Sequence, residues 1–328
     1  MEPLKPIVTA PTKPGTLSDY LSIARFDHSS KHIFIVPGIV FAYLLREGAL
    51  KDNLILNLIL GFIAAVCVAS ANYVINEWLD RDFDKHHPTK SKRSAVQHNL
   101  NFYLVFSEWC AFVVVGLTSA YMSSTCMFLV ACLFAMQGVL YNVPPLRTKD
   151  KAYLDVLSES VNNPIRLLIG WAIVDSTTLP PISVLLAYWS GGAFLMAAKR
   201  LSEFREIVAT EGRDVLENYR ASFRGYSEIS LHVSCFTYGL LSSFFMAIFL
   251  VKYRIEYLLV MPLVILLFAQ YLAIALGAGS SAQNPEKLFR ERGLIWTLAA
   301  LIFVFMVATT IDIPALSALV GQRFISLQ

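Results

Sequence analysis

The chain has 328 residues, 56% of them hydrophobic and only 16% charged. Soluble globular domains carry about a quarter charged residues, so composition excludes that class, and a net charge of +3 gives no reason to expect a nucleic-acid partner. The five cysteines, Cys67, Cys110, Cys126, Cys132 and Cys235, lie in or beside apolar stretches without metal-type spacing and read as packing residues.

In chain order, residues 1–21 are polar and proline-containing and predict a flexible tail with no cleavable signal. Residues 22–328 predict one all-α integral membrane domain. Nine apolar stretches reach or approach spanning length: 32–46 (extended back through 22–31), 53–77, 101–121, 124–141, 153–175, 180–198, 230–251, 257–278 and 293–316. Of the 27 Lys and Arg residues, 21 fall in residues 1–31 and in the loops after the second, fourth, sixth and eighth spans. By the positive-inside rule those segments are cytoplasmic in a plasma (inner) membrane protein, and the C-terminus lies on the opposite side. Arg25 and Lys31, just before the first span, read either as interfacial anchors that snorkel toward headgroups or as ligands of an anion.

The second span ends in Asn76-Glu77-Trp78-Leu79-Asp80-Arg81-Asp82-Phe83-Asp84. Asn76, Asp80 and Asp84 recur every four residues and share one helix face. Asp80, Asp82 and Asp84 crowd three like charges into five positions at a membrane boundary, which is unfavourable unless a cation sits among them, and oxygen ligands of this kind suit Mg²⁺. The basic run beyond, with Lys85, His87, Lys90 and Arg93, can hold phosphate groups. Together they predict a metal-bridged diphosphate site; the plain alternative is a solvated loop of balanced charge.

Tyr141 leads into Pro144-Pro145-Leu146-Arg147-Thr148-Lys149, whose prolines stop the helix and whose cations face the same side. In the fifth span Asp155, Glu159, Asn162 and Arg166 form one helical stripe that runs about 16 Å at ~1.5 Å per residue. An ionisable stripe in a span predicts a polar cavity; otherwise it is a network that only joins helices. Lys199, Arg200 and Glu203 share a face after the sixth span, with Glu203 a further candidate metal donor. This constellation suits loss of pyrophosphate from an electrophilic carbon, with Asp80 and Asp84 as the central carboxylates. A transporter reading is disfavoured because the ionisable groups gather on one side of the membrane.

Asn76-x-x-x-Asp80-x-x-x-Asp84 at the end of the second of nine spans resembles the first aspartate-rich motif of the UbiA superfamily of intramembrane prenyltransferases. The resemblance covers about residues 22–316. It implies a Mg²⁺-dependent membrane transferase acting on a polyprenyl lipid and a diphosphate-bearing substrate. The prenyl-transferring branch is expected to carry a second Asp-rich motif where this chain reads Lys199-Arg200-Leu201-Ser202-Glu203. Arg25 with Lys31, His87-Pro88-Thr89-Lys90 with Arg93, Tyr141 ahead of Lys149, Arg166 and Lys199-Arg200-x-x-Glu203 are instead similar to the decaprenyl-phosphate phosphoribosyltransferase branch. That branch implies phosphoribosyl pyrophosphate as donor, a polyprenyl phosphate as acceptor, and Asp155 or Glu159 acting on the ribose. Glu77, Arg93-Ser94-Ala95 and the Pro144-Pro145-Leu146-Arg147-x-Lys149 loop depart from it, the last toward the prenyltransferases. Both donors stay open.

Overall fold

The computed structural model describes residues 13–46, 53–87, 90–277 and 290–316, together with Ser280, Ala282 and Leu288. The first twelve residues of the expected tail, Pro88 and Thr89 of the basic run, and most of the loop 279–292 lie outside the described residues. Two compact units are present. One runs to Pro180 and includes Glu203–Leu231; the other holds Pro181–Ser202 and the residues from His232 on.

The first unit begins with β1 (Lys13–Pro14), which pairs in parallel with β2 (His98–Asn99). It continues through α1 (Leu17–Ile23), a 3₁₀ segment (Phe26–Ile35), α2 (Val36–Leu45) and α3 (Leu54–Asp84). Then follow α4 (Ser94–Gln97), α5 (Phe102–Ser123), α6 (Thr125–Asn142), α7 (Leu154–Ser160) and α8 (Asn162–Val174). The end of α9 (Ile182–Thr210) and α10 (Arg213–Tyr219) complete it. At 31 residues α3 extends about 46 Å. The hydrocarbon layer is about 30 Å thick, so the last turns of α3 carry Asp80 and Asp84 to the membrane boundary.

Small residues on α3 (Gly61, Ala64, Ala65 and Ala69 beside Val68) let α5 and α6 approach closely, and Met127, Phe134, Ile165 and Ile169 fill the core they leave. Within that seam the Asn72 Nδ2 donates to the Phe134 carbonyl at 3.0 Å. The α2–α8 crossing depends on two glycines. A Cβ on Gly38 would stand 2.2 Å from the Leu167 carbonyl oxygen, and one on Gly170 would stand 2.1 Å from that of Ile35.

Eight described segments are long and apolar enough to cross a membrane, against nine expected stretches. The difference is 153–175, which forms two shorter helices, α7 and α8, that meet at Val161. Pro164 explains the break. It has no N–H for the Ser160 carbonyl, and its ring crowds that oxygen, whereas within the first turn of a new helix the missing donor costs nothing.

In the second unit, α9 up to Ser202 is joined by α11 (Glu228–Tyr253) from His232 on, a 3₁₀ segment (Ile255–Val260), α12 (Met261–Leu276) and α13 (Arg292–Thr310). Phe194 packs edge-on against Phe268 at 4.8 Å. Arg254 donates to the carbonyls of Ala308 (2.5 Å) and Ile311 (2.9 Å) and to Asp312 (2.7 Å), while Glu256 accepts from the Ile313 N–H at 2.9 Å. These contacts fasten the C-terminal end of α13.

Candidate active site

The chemistry gathers in the first unit, in a cavity lined by Asp80, Phe83, Asp84, Lys90, Arg147, Lys149, Asp150, Tyr219 and Arg220. One helical turn separates Asp80 from Asp84 on α3. Asp80 Oδ1 accepts from Arg147 Nη2 at 2.8 Å and from Lys149 Nζ at 2.6 Å. Asp84 Oδ2 accepts from Arg93 Nη1 at 2.6 Å. The other oxygen of each carboxylate has no hydrogen-bond partner among the described residues.

A relay steadies this arrangement. Asn76 Nδ2 donates to Asn142 Oδ1 at 2.6 Å, and the same oxygen accepts from Lys149 Nζ at 2.8 Å. Asn76 thus reaches Asp80 through Asn142 and Lys149 and does not itself line the cavity. Arg147, at the left-handed φ of 29°, is braced by Asp150 at 2.7 Å and the Asn142 carbonyl at 3.1 Å. Burial pushes the Lys149 ammonium down to about 8, with Asp80 pulling it back up.

On the far wall Lys90 Nζ sits 4.9 Å from the centre of the Tyr219 ring, against which His87 packs edge-on at 4.5 Å. The Tyr219 hydroxyl donates to Glu203 Oε2 at 3.3 Å. Burial pushes Lys90 down to about 7, opposed by Glu203. It drives His87 down to about 3, so that imidazole is neutral at physiological pH, and its Nδ1 accepts from the Lys90 backbone N–H at 3.2 Å.

The expected stripe on the fifth span is divided by the α7–α8 break. Asp155 is fully buried and accepts from Ser222 Oγ at 3.0 Å and the Tyr226 hydroxyl at 2.7 Å, with Arg220 3.7 Å away. Glu159 accepts from the Tyr141 hydroxyl at 2.8 Å. Arg166 on α8 is buried with its guanidinium 5.3 Å from the Phe134 ring centre; its Nη1 reaches the Asn162 carbonyl at 3.3 Å, and its Nε and Asn162 Oδ1 are buried without hydrogen-bond partners among the described residues. Lys31 Nζ donates to the Tyr73 hydroxyl at 3.2 Å, Arg25 meets Asp27 at 3.2 Å and Glu77 at 3.8 Å, and Lys85 pairs with Asp82 at 2.6 Å. None of these lines the cavity. Lys199 and buried Arg200 stand on α9 in the second unit. Sequence reasoning missed Arg147, Tyr219 and Arg220 as cavity residues. Arg147 was visible in the cationic loop after α6, whereas nothing around Tyr219-Arg220 distinguished that pair from an ordinary loop.

Among the described residues no three His, Cys, Asp or Glu side chains converge as a metal cage. Mg²⁺ seldom uses one; it takes one or two carboxylates and completes its shell with water and substrate phosphate. Asp80 and Asp84, each with one uncommitted oxygen beside the same cavity, fit that requirement.

Residues 35–291 match the model of the UbiA prenyltransferase family. The chain is 28% identical over 167 residues to decaprenyl-phosphate phosphoribosyltransferase of Mycolicibacterium smegmatis, covering 49% of this chain and 50% of that protein. It is also 28% identical over 182 residues to protoheme IX farnesyltransferase of Geobacillus thermodenitrificans, covering 54% and 58%. The matches thus span about half the length of these curated relatives. The fold is similar to that of a UbiA homolog from Archaeoglobus fulgidus bound to GPP and Mg²⁺, with a TM-score of 0.64 and 19% identity over 89% of this chain and 100% of the other. With a family match across most of its length on an all-α membrane fold, the chain belongs to the UbiA prenyltransferase family.

Proposed function

We propose that this chain transfers phosphoribose from phosphoribosyl pyrophosphate to a polyprenyl phosphate. The observation that carries the reading is the charge of the cavity, where Lys90, Arg147, Lys149 and Arg220 outnumber Asp80, Asp84 and Asp150. A donor that brings a 5-phosphate as well as a diphosphate needs such a surplus of cations. Lys199-Arg200-Leu201-Ser202-Glu203, in place of a second acidic motif, points the same way.

Asp80 and Asp84 would hold Mg²⁺, with Asn76 fixing Lys149 through Asn142. When bound, the ion supplies charge neutralisation on the departing pyrophosphate. Lys90, Arg93, Arg147 and Lys149 receive the phosphate oxygens as negative charge builds on them. Glu159, oriented by Tyr141, is the carboxylate assigned to the ribose hydroxyls. Arg25, Lys31, Lys85, Asn162 and Arg166 are assigned to the sugar and lipid phosphates around that centre. The acceptor is already an anion, so no general base is required. Residues 22–328 form the transferase domain, with the cavity on the cytoplasmic side.

A second reading is transfer of a prenyl group from its diphosphate to an aromatic acceptor. It is favoured by Arg147 and Lys149 of the Pro144-Pro145 loop, which both grip Asp80, and by the GPP and Mg²⁺ in the solved Archaeoglobus fulgidus homolog. Parallel incubations of the purified protein with Mg²⁺ separate the two. Label passing from phosphoribosyl pyrophosphate into lipid, with release of pyrophosphate, is the expected result. Product formed only from polyprenyl diphosphate and an aromatic acceptor would overturn the first reading.

A further inference from the structure

The stretch Gly212–Tyr226 is a short excursion of the first unit that contributes Tyr219 and Arg220 to the cavity wall. α9 ends where the N–H groups of Glu211 and Gly212 both return to the Ile207 carbonyl, at 2.8 and 3.0 Å. Gly212, at φ +90°, reverses the chain in a conformation that a side chain would strain. α10 follows, and its last residue and cap, Tyr219 and Arg220, enter the cavity wall.

A buried carboxylate from another element ties this excursion down. Asp155, at the start of α7, has no exposed surface, and Ser222 and Tyr226 donate to separate oxygens of it. The Tyr226 hydroxyl also accepts from the Tyr153 N–H at 2.6 Å, so the tie to α7 is doubled. Arg220 lies 3.7 Å from Asp155 Oδ2 and still contributes to the cavity lining. It shares that lining with Lys90, Lys149, Asp80 and Asp84. Three cations on one cavity lining offer a diphosphate several charge-assisted contacts at once.

We propose that Arg220 is a substrate-binding residue that grips the diphosphate in the cavity lined by Asp80 and Asp84, and that Asp155 is the positioning residue that holds the Gly212–Tyr226 stretch in place for it. The inference rests on the diphosphate reading of the cavity. It changes the part expected of Asp155, which acts through Arg220 and does not touch the sugar.

The test uses the full chain in detergent, with inorganic pyrophosphate and Mg²⁺ as the probe. Arg220→Gln should weaken pyrophosphate binding at least tenfold and Arg220→Lys should recover part of it. Asp155→Asn and Tyr226→Phe should weaken it in the same direction. Trypsin adds a second measurement, because Arg213 and Arg224 are exposed on the stretch. Pyrophosphate with Mg²⁺ should slow cleavage there in the wild type and fail to do so in Arg220→Gln, whose cleavage without probe is unchanged. Asp155→Asn should be cleaved faster from the outset. Binding by Arg220→Gln within twofold of wild type would overturn the proposal. So would loss of binding in Asp155→Asn with wild-type cleavage, because a positioning role requires that the stretch be loosened. If the wild type itself does not bind the probe, the diphosphate reading falls, and this proposal with it.

Discussion

Replacing Asp80 by Asn tests the centre of the site most directly. The amide keeps the volume and an acceptor, but removes the charge that faces Arg147 at 2.8 Å and Lys149 at 2.6 Å. Lys149 is only 3% exposed, so its ammonium has little water to fall back on. Removing one member of a buried pair costs about 3–5 kcal/mol. Here Asp150 still accepts from Arg147, and Asn142 from Lys149, which puts the expected loss of stability at the lower end, about 3 kcal/mol. Activity should fall further. If the carboxylate helps carry several kcal/mol of transition-state charge stabilisation, turnover drops about a thousandfold at about 1.4 kcal/mol per factor of ten. Pyrophosphate release at saturating Mg²⁺ and thermal unfolding, both on the detergent-purified protein, measure the two effects. A variant that keeps more than about a tenth of wild-type turnover and melts with the wild type would refute the assignment of Asp80.

Three other outcomes are expected. Lys90, held at about 7 by burial, is cationic below that pH and neutral above it, so KM for the diphosphate donor should rise as pH passes 7. Lys90→Arg should flatten the rise, and an unchanged slope would remove Lys90 from donor binding. His87, pushed down to about 3 by burial, carries no charge change between pH 5 and 8, so His87→Gln should leave the shape of the pH–rate profile over that range as it is. Gly38→Ala and Gly170→Ala each force a methyl group onto a carbonyl oxygen. Each should cost about 1–3 kcal/mol, as overpacking does, measured by unfolding in detergent, without altering KM.

What the sequence revealed and what it hid divide along a physical line. Asp80 and Asp84 were legible because helical periodicity alone puts them on one face at the end of an apolar run. The segments crossing the membrane were legible for the same local reason. Lys149 could be seen as a cation, but not as the partner of Asp80, because that contact is made through a loop whose path depends on Arg147 adopting a left-handed conformation. The stripe Asp155–Arg166 was misleading in one respect. Its spacing is helical, but its members do not line one cavity: Asp155 accepts from Ser222 and Tyr226, while Arg166, farther along on α8, stands against Phe134. Arg220 left no local signal, because its place is set by a carboxylate 65 positions earlier in the chain.

The grip of Arg147 and Lys149 on Asp80 has a consequence for the order of events. A carboxylate already matched by two cations is a poor lure for a lone divalent ion, which would have to evict an ammonium to win it. An ion arriving already chelated by a diphosphate meets a different balance, because the phosphate oxygens offer those same cations a new partner as the carboxylate changes hands. Metal and donor should therefore enter as one body, and the resting site, with the charge of Asp80 already matched, should ignore Mg²⁺ on its own.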